Sequence, residues 1–324
     1  MDALFQSKKI LWAVDPFAEN IKLQRSAAWA ISHLTEQSEE KTAPIVQPVY
    51  IVNDASSIVP QRLVGSYQKK IQILGDDSII QMTQKIPLRH LNRLEVISGE
   101  FFSFQEGAKV LLDYAKSGGF NLIVASTHAR FGSRSDALFP GSFVETILDQ
   151  TEIPSLVVNP KWRMGHGVDR LVFPTDFSEE SQVWFERAIS LAQERKLKLT
   201  LFYKLDLPLS QSFETAVQVF PQLRDIFYQK VKKSQTEGKK WIEATKGKGV
   251  NVSLQLSSDL RKSYTVALQE CTERYPGLLL LTPPLSTRFS HQVVRKMLGR
   301  SPFPILWVPS LLGTAGVSGL KRIA

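Results

Sequence analysis

The chain has 324 residues, 43% of them hydrophobic and 22% charged, the composition of a globular protein with real cores rather than of a disordered or fibrous one. At this length about two domains are expected, and no apolar run approaches the ~18 residues of a membrane-crossing helix. Forty basic against 31 acidic residues leave a charge of +9, which favours polyanions as partners, while the single cysteine, Cys271, excludes an internal disulfide and a thiolate metal cluster.

The opening Met1-Asp2-Ala3-Leu4-Phe5-Gln6-Ser7-Lys8-Lys9 lacks the architecture of a signal peptide, so cytoplasmic residence is the expectation. The first element is Lys9-Ile10-Leu11-Trp12-Ala13-Val14, a nearly continuous apolar run of the kind a parallel strand covered on both faces requires. It ends in Asp15-Pro16, and a helix follows at about 23–36 with Ala27, Ala28, Ala30, Ile31 and Leu34 on its apolar side. A second strand spans Val46 to Val52. After a variable loop and a long polar helix come a third strand at Leu94–Ile97 and a helix at Phe104–Lys116. Ser117-Gly118-Gly119 closes that helix as a C-cap with a left-handed glycine; a phosphate loop would follow a strand instead. The fourth strand is Asn121–Ala125, a last helix starts near Ser142, and Pro154–Val158 is a fifth strand.

The order then repeats. Arg170-Leu171-Val172-Phe173-Pro174-Thr175-Asp176 again ends in Asp, and Ser178 with Glu179 and Glu180 makes a good helix start. A helix at Ser181–Arg195 precedes a strand at Leu197–Tyr203, and a long polar helix rich in Lys230, Lys232, Lys233, Lys239, Lys240, Lys246 and Lys248 follows. That helix lacks interleaved aromatics and any zinc-finger or helix-turn-helix spacing, so a solvated face is expected rather than a nucleic-acid surface. Strands at Val250–Leu256, Leu278–Leu281 and Pro304–Val308 complete the copy, with helices at Lys262–Tyr275 and from about Ser290. Cys271 falls on the first of these helices, as a buried small hydrophobe.

Strands alternating with helices imply right-handed crossovers and parallel sheets covered on both faces. The fold class is therefore α/β: two tandem doubly wound, five-stranded parallel-sheet domains forming a pseudo-dimer. The first spans residues 1–160 and the second 169–309, with a linker at 161–168 and a tail at 310–324. The two fifth strands, around Val157 and Trp307, are expected to meet and cover each other's open edge.

Two stretches carry a resemblance to a known family. Leu171–Ser181 is similar to the opening strand and loop of universal stress proteins. Leu122-Ile123-Val124-Ala125-Ser126-Thr127-His128-Ala129, followed by Gly141-Ser142 at a helix start, resembles their phosphate-binding signature. The resemblance covers about residues 8–160 and 168–309, and it implies an adenine-nucleotide site at the carboxyl ends of the strands. On that pattern Asp15 and Pro16 meet ribose or adenine, and backbone near Ile51 and Val52 meets the base. Ser126, His128, Arg130, Gly132, Gly141 and Ser142 surround the phosphates, where free N–H groups opening a helix favour an anion.

The sequence also departs from the pattern. The turn Ser126-Thr127-His128-Ala129 lacks both signature glycines, and the stretch to Gly141 is about two residues longer than the pattern, with Gly132 and Ser133 in partial compensation. In the second half Thr282-Pro283-Pro284 removes two N–H donors, and His291-Gln292 stands where the glycine-serine pair would be. ATP or AMP is therefore expected in the first domain and no cofactor in the second. His33, His90, His128, His166 and His291 share no metal-ligand spacing, and no nucleophile elbow or Walker A sequence occurs. The expectation is a non-enzymatic stress-response regulator. Its alternatives are a nucleotide-free interaction scaffold and a slow ATPase or phosphotransfer enzyme. The protein partner is not specified by the sequence, and a homodimer is the expected further assembly.

Overall fold

The computed structural model describes residues 8–18, 21–35, 43–53, 64–99, 103–126, 142–159, 162, 168–205, 217–282, 297 and 303–309. The expected tail at 310–324 and most of the linker at 161–168 lie outside them, as does the helix expected from Ser290 apart from Met297. In chain order the elements are β1 (Lys9–Ala13), α1 (Ile21–Thr35), β2 (Ile45–Asn53), α2 (Val64–Thr83), β3 (Glu95–Gly99), α3 (Phe104–Ser117), β4 (Leu122–Ser126), α4 (Ser142–Gln150) and β5 (Ser155–Val158). Then follow β6 (Arg170–Pro174), α5 (Glu179–Glu194), β7 (Lys198–Lys204), α6 (Gln222–Glu243), β8 (Val252–Ser257), α7 (Tyr264–Arg274), β9 (Leu278–Leu281) and β10 (Ile305–Trp307). The chain divides into two units, residues 1–167 with 294–324 and residues 168–293.

In unit 1 the strand order is β3-β2-β1-β4-β5-β10. The first five strands run parallel, with Ala13 opposite both Val49 and Ala125. β1 is central, and Ile10, Leu11, Trp12 and Ala13 are all buried, which explains why its sequence is apolar without alternation. Winding proceeds from β1 outward to β3, then reverses to β4 on the other side of β1. Right-handed crossovers therefore place α1 and α2 on one face and α3 and α4 on the other, and α1 does pack beside α2 and α3 beside α4. β10 extends this sheet antiparallel to β5, with Ile305 opposite Val157 and Trp307 opposite Ser155. The expected meeting of the two fifth strands is thus present, and β5 is not left as an open edge.

In unit 2 the order is β9-β6-β7-β8, all parallel, the same winding as β4-β1-β2-β3. Ser178 caps α5, with the Ser181 N–H donating to its Oγ at 3.2 Å and Glu179 and Glu180 in the first turn. Trp184, Phe185, Ala188, Ile189, Leu191 and Ala192 form its buried face. The second helix of each unit approaches the third strand through a glycine. A Cβ on Gly75 would collide with Leu94 beside β3, and one on Gly238 would lie 2.5 Å from Leu254 Cδ2 in β8. Gly119, at φ 65°, follows α3, whose cap N–H at Gly118 donates to Tyr114 O at 2.9 Å. This is the helix ending expected there, not a phosphate loop. Cys271 is buried, and burial pushes its thiol up to about 12. Lys230, Lys232, Lys233, Lys239 and Lys240 are exposed, as a solvated face predicts. No helix among the described residues is long and apolar enough to cross a membrane.

Candidate functional site

The winding of unit 1 reverses between β1 and β4, so their carboxyl ends diverge into the crevice where open α/β sheets bind ligands. Asp15 stands at the end of β1, two residues beyond Ala13. It is 9% exposed. Its Oδ1 accepts one hydrogen bond, from the Phe17 N–H at 3.0 Å, and among the described residues Oδ2 accepts none. Burial raises its pKa to about 6, against the lowering effect of the Phe17 N–H. A largely buried carboxylate with one oxygen unengaged among the described residues has capacity to accept further hydrogen bonds.

The surroundings are built by α2 and β2. Ser78 of α2 donates to the Pro16 carbonyl at 2.6 Å, and the missing Cβ of Gly75 lets α2 lie against Pro16. Phe17 meets Tyr50 of β2 edge to face, ring centres 5.5 Å apart. Tyr50 has its pKa pushed up, by burial first and then by the negative charge of Asp15 and by Tyr67. Ile51 is buried one residue further along β2, and Ser126, also buried, ends β4 beside Val158. Asp15, Pro16, Ile51 and Ser126 therefore all lie at the carboxyl end of one sheet, as expected. Ser142 opens α4, a helix whose first turn carries Glu145. His128, Arg130, Gly132 and Gly141 lie outside the described residues. Phe17, Tyr50, Tyr67 and Ser78 were not singled out in the sequence. One signal for Tyr50 was available: it sits one residue past the partner of Ala13 on β2, as Tyr203 sits one past the partner of Pro174 on β7.

The equivalent place in unit 2 is filled from within. Asp176 Oδ1 accepts from the Ser178 N–H at 3.0 Å and from Ser181 Oγ at 2.7 Å, which commits the carboxylate to the start of α5. Phe177 adopts φ 59°, a left-handed conformation costly for a bulky residue. In that position its N–H donates to Thr175 Oγ1 at 3.0 Å. Its ring lies 5.1 Å from Tyr203 and 5.2 Å from Trp241, and Trp241 stacks on Phe185 at 4.9 Å. Aromatic contacts thus close over the end of β6. Among the described residues no group of three or more His, Cys, Asp or Glu side chains could hold a metal ion.

Fold and site together define an α/β protein whose first unit keeps a switch-point crevice with an engageable acid and whose second unit has packed its own. No family model and no curated protein matches the sequence. Solved structures do match. A universal stress protein from Archaeoglobus fulgidus superposes with TM-score 0.58 at 11% identity, over 95% of this chain and 98% of that one. A putative universal stress protein from Pseudomonas aeruginosa gives 0.51 at 10% identity, over 95% of each chain. A functionally unknown protein of Pseudomonas aeruginosa gives 0.52 at 9%, over 97% of each. The chain has the fold of a tandem universal stress protein over nearly its whole length.

Proposed function

We propose that the chain is a cytoplasmic stress-response regulator that binds ATP or AMP in unit 1, carries no nucleotide in unit 2 and acts without turnover. The observation that carries this reading is the contrast between two equivalent acids. Among the described residues Asp15, largely buried, has one oxygen without a donor, whereas Asp176 already accepts from Ser178 and Ser181. Asp15 is suited to a ribose hydroxyl or an adenine amine, groups that donate hydrogen bonds. Ser142 at the start of α4 is suited to phosphate, since the first N–H groups of a helix have no intrahelical acceptor. The resemblance of Ser126 to Ser142 to a phosphate-binding signature supports the same assignment. His128, Arg130, Gly132 and Gly141 are proposed as the rest of the phosphate contact.

The test is nucleotide extraction from the purified full chain, with thermal unfolding in ATP and in AMP. Ligand at about a hundredfold above Kd adds about 2.7 kcal/mol of stability, and Asp15→Ala should abolish the rise while Asp176→Ala leaves it intact. No extracted adenine nucleotide and no rise would favour the scaffold reading. ATP turnover that is lost in Asp15→Ala or Ser142→Ala would favour the enzyme.

A further inference from the structure

The inner face of α2 is fully employed. Ile71, Ile79 and Met82 are buried, Gln72 Nε2 donates to Leu94 O at 3.0 Å, and Asp76 Oδ1 accepts from Leu94 N at 2.6 Å. Its outer face is not. Tyr67 is 43% exposed, Ile73 54%, Leu74 60% and Ile80 63%, four large apolar side chains on one twenty-residue helix. Polar residues alone would satisfy a solvent-facing surface, so this composition calls for a partner. Between the apolar positions lie the exposed cations Lys69 and Lys70 and the exposed anion Asp77, with Asp76 turned to the Leu94 N–H; Lys70 and Asp77 are the charged pair placed symmetrically within the stripe. Seven residues separate them, about 10 Å along a helix, too far to pair with each other. Neither forms an ion pair among the described residues.

The sequence of this stripe is symmetric about the point between Ile73 and Leu74. Moving outward, each apolar residue on one side matches an apolar residue on the other, Ile73 with Leu74 and Tyr67 with Ile80. Lys70 on one side matches Asp77, its opposite in charge, on the other. Such a pattern complements itself under one operation, a twofold axis through that central point that sets two copies of α2 antiparallel. Lys70 of each copy then lies level with Asp77 of the other, giving two ion pairs. Ile73 and Leu74 meet their counterparts at the centre, and Tyr67 and Ile80 flank the two ends. A parallel pairing would instead bring Lys70 against Lys70 and Asp77 against Asp77, which is repulsive. We infer that the outer face of α2 is a homodimer contact, formed by antiparallel docking of Tyr67, Lys70, Ile73, Leu74, Asp77 and Ile80 against the same residues of a second copy.

One helix face is smaller than the ~800 Å² per partner of a stable complex, so the dimer is expected to be reversible. It should appear in sedimentation between about 1 and 200 µM of the full chain and weaken with salt, which screens the exposed ion pairs. Lys70→Glu alone and Asp77→Lys alone each place like charges level with one another and should lower the association constant about tenfold. The double variant Lys70→Glu/Asp77→Lys restores opposite charges and should return association to the wild-type value. Leu74→Lys should abolish it. All three positions are exposed, and an unchanged circular dichroism spectrum checks that each variant is folded. A chain that stays monomeric over the whole range, or a dimer indifferent to Leu74→Lys, would overturn the inference. So would a double variant that associates no better than the single ones.

Discussion

Unit 1 and unit 2 wind their strands in the same order and end their first strand in the same residue type, yet the two acids live differently. Among the described residues Asp15 is buried with a single donor, and Asp176 is held by a backbone N–H and a serine hydroxyl. The aromatic neighbours differ in the same sense. Phe17 touches Tyr50, whereas Phe177 is wedged between Tyr203 and Trp241. The same scaffold occurs in both units, while among the described residues Asp15 keeps an unengaged oxygen and Asp176 is committed to the start of α5.

The strongest way to break this contrast is to remove the plug. Trp241→Ala deletes the ring that stacks on Phe185 and caps Phe177, and a loss of about 3–5 kcal/mol in denaturant unfolding is expected for a buried tryptophan. A loss below about 1 kcal/mol would mean that the aromatics of unit 2 do not hold it together.

The two acids themselves should respond with opposite signs. Burial raises the Asp15 carboxyl from the ordinary 3.8 to about 6, so carrying its charge costs the fold stability at neutral pH. Each tenfold change in the ionisation constant corresponds to about 1.4 kcal/mol. Stability contributed by the neutral form is present below the unfolded value and is lost as pH rises through about 6. Asp15→Asn keeps the acceptor for Phe17, so it should raise stability at pH 7 by up to about 3 kcal/mol, and the gain should vanish towards pH 4. Asp176→Asn should instead lower stability by about 1 kcal/mol, because charge-assisted bonds become neutral ones. Melting curves of both variants from pH 4 to 8 check this, and shifts of the same sign would erase the distinction.

The smallest effect tests whether unit 2 carries strain away from its filled crevice. Lys196, just past α5, has φ 51°, and Lys196→Gly should stabilise by up to about 1 kcal/mol in thermal unfolding. Destabilisation would show that the lysine side chain does more than accept an unfavourable conformation.

Much of this was legible in the sequence because local signals agree. The run Ile10–Val14 is apolar throughout, as a central parallel strand must be. Ser178-Glu179-Glu180 caps a helix with side chains adjacent in sequence, and Gly118-Gly119 ends one. Leu278–Leu281 is a strand in both the sequence pattern and the structure. Asp15 was placed at the end of the first strand by the apolar run before it, while Pro16, Ile51 and Ser126 were placed at the same end of the sheet by the family resemblance. What was not legible depends on pairs distant in the chain. Ser78 reaches Pro16 across 62 residues, and Trp241 of α6 reaches Phe177 past α5 and β7. Neither contact has a spacing that a window of sequence can display.

Periodicity, caps and the internal repeat were sufficient to determine that this protein is α/β, that it is a tandem of one fold, and that an acid ends the first strand of each copy. These are properties of neighbouring residues and of hydrophobic pattern. Only the tertiary structure decided which acid is committed to its own helix start and which keeps an oxygen unengaged among the described residues. Desolvation and hydrogen-bond satisfaction are sums over everything that packs around a group, and at Asp15 and Asp176 those sums come out differently.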